Sequence, residues 1–185
     1  MKSYGTFGSE PNSSHGVAVF STTAEKHNII EPWLELALFG NHYSGFLFRQ
    51  PHEAQDGSYF LTADTHCKIK NIVHVKTQEI DPTNPMLVIA VAMNCAEEQE
   101  WAQVELPLVR SSMNKDSLEQ QQEDALQMLK ALDQARKTYQ HKQVELFIRF
   151  TDDQAFAANI FANNGIPLMR WDGSDYIPAN PPIIK

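Results

Sequence analysis

The chain has 185 residues, 42% of them hydrophobic, with a formal net charge of -8. That is enough apolar material for a full core, and the balance excludes a protein that coats duplex DNA by charge alone. Its two cysteines stand without a CxxC or a Cys–His ladder, which excludes a disulfide framework and a zinc finger.

Residues 1–14 are polar and read as a loose arm. They contain no apolar h-region, so no signal peptide is expected and the expected compartment is the cytoplasm. Val17 to Phe20 is a short apolar run and a candidate strand. Pro32 suits a helix first turn, and Gly40 suits the end of a helix over Pro32 to Phe39. The apolar run from Trp33 to Phe39 is interrupted by Glu35 and is too short to span a bilayer. Tyr43 to Gln50 is aromatic and β-prone. A turn pivoting on Asp56-Gly57 leads to a strand at Tyr59-Phe60-Leu61.

The next runs carry most of the expected architecture. Cys67 to Lys76 alternates as a strand. Ile69, Val73 and Val75 share one parity, and Lys68, Lys70, His74 and Lys76 share the other. Leu87 to Met93 is apolar at every position, as in a strand covered on both faces. In Trp101 to Val109, Ala102, Val104, Leu106 and Leu108 alternate with Trp101, Gln103 and Glu105.

Ser117 with Gln120 forms a capping box for a long helix over Leu118 to Tyr139. Leu118, Ala125, Leu129 and Leu132 make its stripe. Val144 to Phe150 alternates again, with Glu145, Phe147 and Arg149 outward. Thr151 with Gln154 caps a further helix that stops at Gly165, and Ile166 to Trp171 forms a last strand. A Pro-rich extended tail covers 172–185.

This succession predicts an α+β fold. The order strand, strand, strand, helix, strand over 67–150 reads as an OB-like Greek-key β-barrel, with one long helix between its strands 3 and 4. A strand and helix are added before it, and a helix and strand after it. The expected division is 1–58 as an N-terminal extension packed on the barrel, 59–171 as the OB-like domain, and 172–185 as the tail.

The stretch PMLVIAVAMNCAEEQEWAQVELPLV resembles the bacterial single-stranded DNA-binding protein family. Gln99-Glu100-Trp101 with Val104 and Leu106 fall on that family's third strand. His141-Lys142-Gln143-Val144 lead into Leu146 and Ile148 on its next one, and KNIVHV is similar to its opening strand. The run SYFLTADTHCKIKNIVHVK is similar to the DUF3577 family carried on integrating conjugative elements. The chain departs from the first family in ending PPIIK rather than in an acidic, aromatic tip. Its helix is also longer, and residues 1–58 have no counterpart there.

The resemblance implies a mobile-element protein engaging single-stranded nucleic acid. Such binding needs stacking faces and cations along a groove. Trp101 and Phe147 are the candidate stacking residues, and Lys68, Lys70, Lys76 and Arg149 the candidate phosphate contacts. The competing reading packs both aromatics under the long helix, and Glu105 and Glu145 on the same faces would repel phosphate. The alternative function is a protein–protein adaptor or inhibitor on the same barrel, favoured by the negative charge and the apolar tail. A homo-oligomer is compatible with either.

No cofactor, metal or catalytic residue is expected. His66 and His74 lie eight residues apart, roughly 26 Å along a strand, which one metal ion cannot bridge. The chain has no G-x-S-x-G, P-loop or G-x-G-x-x-G.

Overall fold

In the computed structural model, residues 1–7, 16–21, 47–53, 59–64, 71–76, 81, 83–109 and 117–184 are described, with backbone pairing alone for the strands between 16 and 76. The first two elements are strands β1 (Lys2–Thr6) and β2 (Gly16–Ser21). Then come β3 (Leu47–Glu53), β4 (Tyr59–Asp64), β5 (Asn71–Lys76) and helix α1 (Pro85–Glu98). β6 (Gln103–Pro107), α2 (Leu118–Thr138) and β7 (Glu145–Arg149) follow. A single 3-10 turn at Asp152–Gln154 runs into α3 (Ala155–Asn163), and β8 (Leu168–Trp171) and β9 (Tyr176–Pro178) close the order.

The run Leu87 to Met93, expected as a strand, is the centre of α1. An unbroken apolar run cannot distinguish a covered strand from a buried helix. The flanks decide here. The Asn84 side chain accepts hydrogen bonds from the backbone N–H of Met86 at 3.1 Å and of Leu87 at 3.3 Å. Pro85 then supplies a helical φ where no N–H is needed. At the other end Trp101 N–H donates to the Ala96 carbonyl at 2.8 Å and Glu100 N–H to that of Glu97 at 3.2 Å. This is a Schellman stop with Glu100 in the left-handed region at φ 59°.

Three other helix signals are realised as expected. The Ser117 hydroxyl accepts from Gln120 N–H at 3.1 Å and opens α2. Thr151 N–H donates to Gln154 Oε1 at 3.0 Å ahead of α3. Gly165, at φ +78°, follows the end of α3.

All nine described strands form one sheet, in the order β3-β4-β5-β2-β6-β7-β1-β8-β9. From β5 to β8 every neighbouring pair is parallel. β4 on β5, β3 on β4 and β9 on β8 are antiparallel. A parallel neighbour requires the chain to return to its starting end, and a helix usually carries it. α2 plays that role between the neighbours β6 and β7, while α1 and α3 carry the chain back from β5 to β6 and from β7 to β8, each past one intervening strand, β2 and β1. The three described helices form a layer on one face. α2 packs between α1 and α3, α1 lies over β5 and β6, and α3 over β1 and β8. Val104, Leu106, Leu146 and Ile148 point into this layer and are buried with Ile89, Met128, Leu132 and Phe161.

The expected OB-like barrel is therefore corrected. The sheet is open, with β3 and β9 at its two edges, and its centre is parallel. The long helix is a crossover between adjacent parallel strands, not the helix of a Greek-key barrel. The boundary at residue 58 has no counterpart in the sheet either. β1 sits between β7 and β8, and β2 between β5 and β6. The arm expected to be loose supplies an interior strand over Lys2–Thr6, and the tail supplies β9. The helix expected at Pro32 to Phe39 lies outside the described residues.

At Gly5, β1 runs close against side chains of β8 and of the residue after β7. A Cβ there would lie 2.4 Å from Leu168 Cδ2 and 2.9 Å from Phe150 Cε2. A larger residue fits only if the Leu168 side chain and the Phe150 ring shift.

Candidate functional site

In open α/β sheets, ligands bind outside the carboxyl ends of the parallel strands. Here β1 ends at Thr6, β6 at Pro107 and β7 at Arg149, which lie level with one another across the sheet. What those ends present depends on the face.

On the face away from these three helices, β6 and β7 carry Glu105, Phe147 and Arg149. Arg149 Nε donates to Glu105 Oε2 at 2.9 Å and its terminal nitrogen to Oε1 at 3.1 Å. Both side chains are within 1% of full burial. The Tyr176 hydroxyl on β9 donates to Glu105 Oε1 at 2.5 Å. Burial by itself works against the guanidinium charge, but the charge and hydrogen bonds of Glu105 outweigh it and hold the Arg149 pKa above its ordinary value.

The Phe147 ring lies between two others. Tyr176 stacks at 3.8 Å and Tyr4 at 5.1 Å between centroids, and Trp171 meets Tyr176 edge-on at 5.2 Å. Burial and the nearby Glu145 carboxylate push the Tyr4 phenol up. Thr6 is fully buried, and its hydroxyl has no hydrogen-bond partner among the described residues.

On the helix side, a crevice of about 540 Å³ opens beyond the ends of β1 and β7. Phe7, Phe150, Leu118 and Phe156 form apolar walls, Asp152 and Asp153 lie at its border, and Pro182 to Ile184 close one side. The Asn159 amide holds the last wall through the Pro182 carbonyl at 2.9 Å. Gln121, the amide in the lining, is spent on the backbone. It donates to the Asp153 carbonyl at 2.7 Å and accepts from Ala157 N–H.

A second groove, of about 720 Å³, lies at the opposite, amino end of β1 and β7, bordered by Lys2, His141 and Lys142. It is the larger, but it is polar and bordered by an exposed turn. Position and apolar walls favour the smaller crevice.

Burial corrects two of the expected contacts. Phe147 and Arg149 are 1% exposed and cannot meet a base or a phosphate. Trp101 is half-buried and follows α1 as the apolar residue of its Schellman stop, packed against the core. Lys68 and Lys70 lie outside the described residues, as do His66 and Cys67, while Lys76 ends β5. With no barrel, the nucleic-acid reading and the adaptor built on the same barrel both fall, and so does the mobile-element assignment that followed from the resemblance. Sequence reading missed the crevice because its walls come from residues 7, 118, 150, 156 and 182–184, which only the fold brings together. The approach of Tyr176 to Glu105, 71 residues away, had no sequence signal either.

Among the described residues, no group of three or more His, Cys, Asp or Glu side chains could hold a metal ion, and no helix is long and apolar enough to cross a membrane.

No family model and no curated protein matches this chain. Among solved structures, a mutant macrodomain from Oceanobacillus iheyensis is similar to it, at 10% identity and a TM-score of 0.49. The match covers 86% of this chain and 90% of that one. A likeness of that degree gives this chain neither a family nor a ligand.

Proposed function

We propose that this chain is a small-molecule-binding α/β protein that takes its ligand in the crevice beyond the carboxyl ends of β1 and β7. The observation that carries the reading is a crevice of about 540 Å³ with aromatic walls at that position. Its size falls within the range of small-molecule sites, roughly 300–1,000 Å³. Three aromatic rings, Phe7, Phe150 and Phe156, line it, and these suit a flat apolar body.

The test is an amide NMR titration of the full chain with indole. Shifts gathered on Phe7, Leu118, Thr151 and Phe156, saturating near the millimolar range expected of a fragment (about -4 kcal/mol), support the reading. Shifts gathered on His141 to Glu145 instead, or no shifts at saturating indole, overturn it.

A further inference from the structure

Resting on that reading of the crevice, we infer that its ligand is an apolar molecule bearing one positive charge, an aromatic or aliphatic amine. Two groups of lining atoms decide this. The walls are carbon: Phe7, Phe150, Phe156 and Leu118, the last 60% exposed although apolar. The polar groups divide into spent and unspent. Gln121 uses both ends of its amide on the backbone of Asp153 and Ala157. The backbone N–H of Thr151 is taken by Gln154 Oε1. Asp152 and Asp153 remain. Both are exposed, and among the described residues no cation pairs with either.

The sign of the field follows from magnitudes. The amino ends of α2 and of the turn leading into α3 border the crevice, and each contributes at most about half a positive charge. Two full carboxylate charges exceed their sum. The chain as a whole carries -8, so the long-range field also attracts cations and repels anions. A carboxylate or phosphate ligand would have to approach Asp152 and Asp153, and among the described residues of the lining no side-chain cation receives it. An amine placed over the aromatic walls meets the carboxylates at the border and the ring faces beneath.

Three probes with one apolar body separate charge from shape: tryptamine (cation), tryptophol (neutral) and indole-3-acetate (anion). Binding is measured by calorimetry on the full chain at low and at high salt. Tryptamine is expected to bind about fivefold tighter than tryptophol at low salt, the scale of an exposed ion pair, and indole-3-acetate weakest. The advantage should shrink as salt rises. In the chain carrying Asp152→Asn and Asp153→Asn, tryptamine should fall to the level of tryptophol. Unchanged tryptophol binding there shows that the crevice is intact. Equal binding of all three probes, or a preference for the anion, overturns the cation assignment and leaves the crevice standing. Binding by none of the three overturns the crevice reading and this inference with it.

Discussion

Arg149 and Glu105 form a two-point ion pair across the neighbouring strands β7 and β6, at 2.9 and 3.1 Å, with both side chains removed from water. Such a pair stabilises little compared with well-packed apolar residues, but it cannot be broken from one side cheaply. Arg149→Met alone leaves a buried carboxylate, and Glu105→Leu alone leaves a buried guanidinium. Each should cost about 3–5 kcal/mol in urea unfolding. The double variant should cost clearly less than the sum, because the two charges that face each other are removed together. Additive losses would show that the two groups do not depend on each other.

Thr6 lies beside Arg149 in register, with its hydroxyl buried and unbonded among the described residues. An unsatisfied buried hydroxyl costs roughly 1–3 kcal/mol. Thr6→Val keeps the shape and removes that cost. The variant should be as stable as the parent or gain up to about 1 kcal/mol, read as a shift in the urea midpoint at constant slope. A loss larger than about 1 kcal/mol would mean that the hydroxyl has a partner in solution.

Gly5 faces the helix layer, where an added methyl would overlap Leu168 and Phe150. Both of those side chains are buried in the core. Gly5→Ala should therefore destabilise by about 1–3 kcal/mol, the usual penalty of overpacking. Combining it with Leu168→Ala should recover part of the loss, which a double-mutant cycle by denaturation measures. No recovery would place the strain elsewhere.

The β8–β9 hairpin is tied at Asp172. Its carboxylate accepts from the N–H of Asp175 and of Ser174, both at 2.8 Å. These bonds, that to Asp175 first, hold its pKa below the ordinary aspartate value of about 3.9. Because the folded pKa is the lower one, the tie is complete above the unfolded value and is lost as pH falls through the folded value. A carboxyl NMR titration should show a midpoint below about 3.9 for Asp172. Amide exchange at Ser174 and Asp175 should lose protection through the same midpoint, and Asp172→Asn should remove that dependence. A midpoint at or above the ordinary value would contradict the geometry.

Much of the local structure was legible in the residues. Ser117, the pair Thr151 and Gln154, and Gly165 mark helix ends because capping satisfies backbone groups within one turn, so a few adjacent residues suffice. The alternation Val104, Leu106 and Leu146, Ile148 marked inward faces for the same local reason, the period of a strand.

The tertiary structure decided the rest. Strand order is a long-range matter. Nothing in Lys2 to Thr6 specifies that it lies between β7 and β8, more than 130 residues on, and parallel pairing leaves no turn motif to read. The outward parity of Phe147 and Arg149 was legible, but its meaning was not. Polar parity signals a solvent face only when nothing covers it, and here Tyr4, Tyr176 and the Glu105 carboxylate do. Burial of a charge depends on a partner brought from elsewhere in the chain, and only the folded sheet supplies it.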